Sequence, residues 1–416
     1  MKTRILAAAT TALVLVAFCP AQEAPSQKRD TPLLPPKGLR SKMPPGYTIP
    51  TVDISAEKER QVIVDREPGQ YLGHPTTVLL EDGRTMLIVY PKGHGRGAIV
   101  YKRSTDGGLT WSDRLPTPPN WATSLEVPTL HRVVDAAGKK RIILFSGLYP
   151  IRMAVTEDDG ATWSELKPIG GFGGVVTMAT VIELKTGPGH YLAFFHDDGR
   201  FIRGGSEARY TVKGPHSDHA SPAAKPWRFW VYTTLSQDGG LTWSVPVPIA
   251  MLPDANLCEP GAFRSPDGKR IAVLLRENSR KYNSFVLFSD DEGLTWTEPR
   301  ELPASLTGDR HVAKFAPDGR LFISFRDTTH VSPTKGDWVG WVGTYQDIVE
   351  GKEGQYRVRI MDNTKGADCT YPGVELLPDG TLVATTYGHW TEGEMPYIVS
   401  VRFTLEQLDR KLKPGD

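Results

Sequence analysis

Four copies of one short pattern, [Ser/Thr]-x-Asp-x-Gly-x-Thr-Trp, recur along the chain. They read "STDGGLTW" from residue 104, "TEDDGATW" from 156, "SQDGGLTW" from 236 and "SDDEGLTW" from 289, so that the starts lie 52, 80 and 53 residues apart. A period of about 50 residues requires a chain built from like supersecondary units, each too small to bury its own apolar face and stable only beside its neighbours. The longer gap is one such unit carrying a polar insertion, residues 204–226.

A second repeat runs out of phase with the first and extends further. The segments "HPTTVLLEDGR", "VPTLHRVVDAAGK", "MATVIELKTGPG", "EPGAFRSPDGK", "RHVAKFAPDGR" and "YPGVELLPDGT" are apolar-alternating runs that end in a turn, and β-rich runs such as "TMLIVY" and "LFISF" follow them. Strand, Asp-Gly-type turn and strand make a hairpin. The eight-residue box then falls between a third strand and a short fourth. Four antiparallel strands repeated six times, with almost no helical periodicity, predict an all-β fold, a six-bladed β-propeller. A pair of β-sandwiches would leave the common period unexplained. In an up-and-down blade the box lies on the face opposite the one where the first strands begin.

That placement makes the box a fastener. Its Asp can accept hydrogen bonds from nearby backbone N–H groups, its glycines can take positive φ, and its Trp can bury a ring between blades. A catalytic residue is needed once, not four times on separate spokes.

Charge and composition exclude several classes. Forty-nine basic residues balance 48 acidic ones, which argues against a nucleic-acid partner. The basic start Met1-Lys2-Thr3-Arg4 and the apolar run "ILAAATTALVLVAF" predict a signal peptide over residues 1–21 and a secreted or periplasmic protein. That run is shorter than the about 20 residues that span a bilayer, so no stable membrane insertion is expected. Phe18 before Cys19 is bulkier than lipoprotein processing accepts. A Pro-rich linker is expected over 22–49, the propeller over 50–408 and a polar tail over 409–416. Beyond the signal only Cys258 and Cys369 remain, so the fold is no disulfide scaffold. No CxxC or HExxH spacing is present, and neither metal nor cofactor is expected; the chain is expected to be a monomer.

Ligands of propellers meet the central funnel, where the first strands converge. Counting back nine residues from the turn glycine of each first strand reaches His74, Met178, Glu259, Arg310 and Tyr371, with Val127 and the adjacent Glu126 in blade 2. Core packing would place apolar residues there. The loops after the second strands open on the same face and add Arg96 with His94, Asp197 with His196, Arg276, Arg326, and His389 with Trp390. Their convergence on one mouth marks a binding site for a glycan or glycoconjugate.

With its four boxes and six hairpins, the sequence over roughly residues 60–405 resembles the sialidase (neuraminidase) superfamily, whose boxes are known as Asp-box or BNR repeats. The resemblance implies an exo-acting glycoside hydrolase of the exo-α-sialidase type. Such enzymes use a tyrosine nucleophile assisted by a glutamate, an aspartate acid/base and three arginines that hold the substrate carboxylate. The anomeric carbon of sialic acid bears a carboxylate, which repels an anionic nucleophile but not a phenol relayed to a glutamate. Tyr371 and Glu259 match that pair in order and strand position, and Arg276 matches the second arginine. The departures are equally specific. "LGHP" places His74 where the first arginine belongs, the loop "PKGHGRG" has no carboxylate, and "GDWVGW" stands where the third arginine belongs. Arg276, Arg310 and Arg326 are then the expected anion cluster, and His94, Asp197 or His74 the proton donor. Two alternatives keep the same fold: a lyase or other glycosidase with His74 or Tyr371 as base, and a non-catalytic glycan-binding propeller with Trp338, Trp341 and Trp390 as stacking platforms.

Overall fold

The alternating runs form the expected hairpins in the computed structural model, which describes residues 46–203, 209–210 and 229–412. The expected signal peptide, most of the linker and most of the polar insertion lie outside the described residues. The inner strands are Thr76–Leu79, Thr129–Val134, Val175–Glu183, Leu257–Arg264, Gly308–Phe315 and Gly373–Leu376, one per blade in chain order. Each pairs antiparallel with a second strand that is almost wholly buried, such as Leu321–Asp327 in blade 5. Inner strands of consecutive blades touch around the whole circle, blade 6 returning to blade 1. The molecule is therefore a six-bladed propeller of four-stranded antiparallel blades.

The outer edges vary. Blade 1 has three regular strands, and its fourth edge is reduced to Ser112 N–H on Arg103 O at 2.8 Å and Leu115 N–H on Tyr101 O at 2.9 Å. Blade 5 gains a parallel fifth strand, Thr51–Asp53. Blade 6 takes its outer strand, Gln61–Asp65, from the opposite end of the chain, which closes the ring. Residues 409–412 of the segment expected as a polar tail end a helix, Leu405–Leu412, which buries Leu405 and Leu408 and holds Asp409 against Arg320 at 2.7 Å.

The boxes fasten in the expected way. Asp106 accepts from Ser104 Oγ at 2.8 Å, Thr110 N–H at 2.9 Å and Thr110 Oγ1 at 2.6 Å, while Ser104 Oγ accepts from Gly108 N–H at 2.8 Å. Asp158, Asp238 and Asp291 repeat this set. Each box Trp packs against other blades; the ring of Trp243 meets Phe145 of blade 2 at 5.5 Å and that of Trp296 meets Phe194 of blade 3 at 5.8 Å.

Candidate active site

On the opposite face the inner strands enter the axis through a local kink. Register shifts interrupt the ladders of blades 3, 4 and 5 at Val175/Thr180, Cys258/Gly261 and Asp309/Val312. His74, Met178, Glu259 and Arg310 have φ of 56°, 48°, 49° and 57°, a region that non-glycine residues enter at a cost. Blade 6 shifts the same strain by one residue, to Thr370 at 64°. Such bulges re-aim side chains, and here they turn the ring residues toward one centre.

Tyr371 and Glu259 meet there. The Tyr371 hydroxyl donates to Glu259 Oε1, which also accepts from Arg276 Nη1 at 2.5 Å, while Glu259 Oε2 is buried without a hydrogen-bond partner among the described residues. Burial, then the neighbouring Glu259 charge, pushes the Tyr371 phenol well above its ordinary value. Arg276 continues to Asn278 Oδ1 at 2.5 Å and to Asp309 Oδ1 at 3.1 Å.

Asp309 is the hub of the basic residues. Its fully buried carboxylate also accepts from Arg280 at 2.6 and 2.8 Å and from Arg326 at 2.9 and 2.6 Å. Burial opposes its charge, but Arg276, Arg326 and Arg280 outweigh it and hold the carboxyl below the usual range. Arg326 spends its remaining nitrogen, Nη1, on Ala367 O and Cys369 O. Arg310 lies apart from this group. Its guanidinium carbon sits 6.0 Å from the Tyr371 ring centroid, Nη2 donates to Ala179 O at 3.0 Å, and Nη1 is buried without a hydrogen-bond partner among the described residues.

The other wall is aromatic. His74 is buried between the rings of Tyr371 at 4.4 Å and Tyr387 at 4.6 Å. Gly95 N–H donates to its Nδ1 at 3.0 Å, so the ring proton belongs on Nε2, which faces Tyr387 Oη at 3.3 Å. Burial, then His94, holds this imidazole well below its ordinary pKa. Next to it stands His94, whose side chain is 66% exposed. Tyr71 Oη gives its proton to Asp368 Oδ1 at 2.7 Å and lies 2.8 Å from His94 Nδ1. Asp368 also faces Tyr387 and, at 3.2 Å, His389 Nε2. Burial works against this carboxylate, but hydrogen bonds from His94, Tyr71 and His389 hold it charged.

Some expected residues have other tasks. Asp197 is wholly buried and accepts the N–H groups of Gly199, Phe201 and Ile202 at 3.0–3.3 Å, so its carboxylate braces its own loop and is not a proton donor at the mouth. Burial pushes it up to about 7 despite those bonds. Glu277 and Asp327, at the same strand end in blades 4 and 5, brace their loops likewise. Trp390 packs on Trp338 in the core and donates to Tyr397 O, and Trp341 is fully buried on Glu353 O, so none is a stacking platform. His389 is buried against Asp368 and Glu394 O, and Arg96 is exposed.

The sequence reading missed Asp309, Asp368, Arg280, Tyr71 and Tyr387. One signal was available for Tyr387: it is the next-to-last residue of its second strand, the position that Arg276 and Arg326 hold in theirs. Asp309 and Asp368 lie one and three residues before ring positions but have no partner nearby in sequence.

Comparison with known proteins agrees at the level of the fold. Residues 150–330 match the BNR repeat-like domain. No curated protein matches the sequence. Among solved structures, a protein of unknown function from Dyadobacter fermentans superposes with a TM-score of 0.63 at 15% identity, over 82% of this chain and 97% of the other. The NanB sialidase of Streptococcus pneumoniae gives 0.55 at 12%, over 83% and 71%. The intramolecular trans-sialidase of Ruminococcus gnavus gives 0.54 at 14%, over 83% and 96%. The chain thus shares the six-bladed propeller fold of these structures.

Proposed function

We propose that the protein is an exported, exo-acting glycoside hydrolase that removes a terminal acidic sugar by way of a tyrosyl intermediate. The observation that carries this reading is the hydrogen bond from Tyr371 to Glu259. A phenol whose pKa is raised keeps its proton at rest, so attack requires a base already in contact with it. Tyr371 Oη bonds to the anomeric carbon as its proton passes to Glu259 Oε1 and the glycosidic C–O bond breaks. His94 protonates the departing oxygen. Its Nδ1 faces Tyr71, which is tied to Asp368, and this leaves Nε2 on the exposed ring as the position for proton exchange. Water then enters, His94 takes its proton, and the tyrosyl bond breaks with return of the proton from Glu259.

Charge supports an acidic substrate. The four arginines Arg276, Arg280, Arg310 and Arg326 stand with two carboxylates, Glu259 and Asp309, a third, Asp368, lies beside His94 and His389, and burial keeps the nearby Glu126 carboxyl up at about 8. One positive charge remains beside the nucleophile. The sialidase structures with the same fold fit an acidic sugar as well. Purified protein should release the fluorophore from an aryl sialoside or an aryl uronide; no turnover of either class by folded protein would end this reading.

A further inference from the structure

We infer that Asp309 is a specificity-determining residue: it occupies Arg276, Arg280 and Arg326 as an internal counter-ion, so that the substrate anion is read by Arg310 at a single point. This rests on the glycosidase reading and narrows its substrate class to sugars with one anionic group, carboxylate or sulfate alike.

Geometry carries the argument. Two parallel N–H groups of a guanidinium match the two oxygens of a planar carboxylate, and an open arginine fork therefore selects carboxylate over tetrahedral anions. Here Asp309 already fills the forks. Arg280 gives it Nη1 and Nη2, and Arg326 gives it Nε and Nη2. Arg276 gives Nη1 to Glu259 and Nη2 to Asn278, and its Nε lies 3.1 Å from Asp309 Oδ1 as an ion pair without a hydrogen bond. The Nη1 of Arg310 is different: unlike Arg276 Nε, which lies 3.1 Å from Asp309, it has neither a hydrogen-bond partner nor an ion pair among the described residues, in a side chain only 3% exposed next to the Tyr371 ring. A buried guanidinium N–H without an acceptor costs free energy that an incoming oxygen recovers. One such contact has no means of distinguishing three anionic oxygens from two.

The test measures dissociation constants by calorimetry for two matched pairs of ligands. One pair is 2-deoxy-2,3-didehydro-N-acetylneuraminic acid and its sulfonate analogue; the other is methyl glucuronoside and methyl glucoside 6-sulfate. Within a pair that binds the wild type, carboxylate and sulfur anion should agree within about threefold, and Arg310→Gln should weaken both by about tenfold or more. Asp309→Asn should open the Arg326 and Arg280 forks and favour the carboxylate by about tenfold. A wild-type preference for carboxylate of about tenfold, unchanged binding in Arg310→Gln, or binding of no anion would each overturn the inference. If Asp309→Asn does not fold, the wild-type and Arg310→Gln measurements decide it. Binding is read without turnover, so loss of the glycosidase reading and loss of this one are separate results.

Discussion

Asp106 on the box face and Asp309 at the mouth are both carboxylates saturated with hydrogen bonds, but their partners differ in origin. Asp106 is served by Ser104 and Thr110, all within four residues of itself. Asp309 is served by arginines of blades 4 and 5, up to 33 residues away in the case of Arg276. The first arrangement can be copied into several blades because it needs nothing from its neighbours. The second exists once, because it needs blades placed in a definite order. Repetition thus marks what holds this fold, and departure from repetition marks where its chemistry lies.

The largest effects should fall on the non-repeating face. Tyr371→Phe should lower kcat on an aryl glycoside by about 10⁴ or more while the melting curve moves little. Glu259→Gln should cost about 10³ in the same assay, since the phenol then lacks its base. His94→Ala should cost about 100-fold on glycosides with poor leaving groups and much less on activated aryl glycosides, which depart without a proton. Equal losses on both would remove His94 from the role of acid. The box face should respond in stability alone: Asp106→Asn should lose about 1 kcal/mol in denaturant unfolding, with kcat per folded molecule unchanged.

The smallest effect is a pH signature that separates the two faces. Burial lowers His131, near the axis, from 6.5 to about 4, and hydrogen bonds from Thr162 and Thr156 lower the box residue Asp158 from 3.8 to about 2. In both cases the unfolded chain binds the proton more readily, so stability is full above the unfolded value and falls as the pH drops toward the folded one. The contribution of His131 should therefore be lost between 6.5 and about 4, and that of Asp158 between 3.8 and about 2. In urea unfolding measured from pH 7 to pH 2.5, the stability difference between wild type and His131→Gln should change over the first window only, and that between wild type and Asp158→Asn over the second only.

The sequence made the fold legible because its signals are local and repeated. Box, hairpin turn and alternation each occupy about ten residues, and their count gives the blades. The ring residues were legible by register, since one offset from the turn glycine reaches His74, Glu259, Arg310 and Tyr371. What escaped was pairing across blades. Asp197 looked like a mouth carboxylate, but a strand-end acid in this chain serves its own loop, as Glu277 and Asp327 also do. Asp368 and Asp309 find their partners only after the circle is assembled, and nothing in their immediate neighbourhood announces it.

The blade that bears Tyr371 is built from both ends of the chain, Gln61–Asp65 lying against Tyr397–Phe403. During synthesis the early strand must wait until nearly all the rest has emerged before it finds its partner. The nucleophile is therefore set in place by the same event that seals the circle, and a chain that stops short of Tyr397 leaves Glu259 and Arg276 assembled around a tyrosine that has no finished blade to stand on.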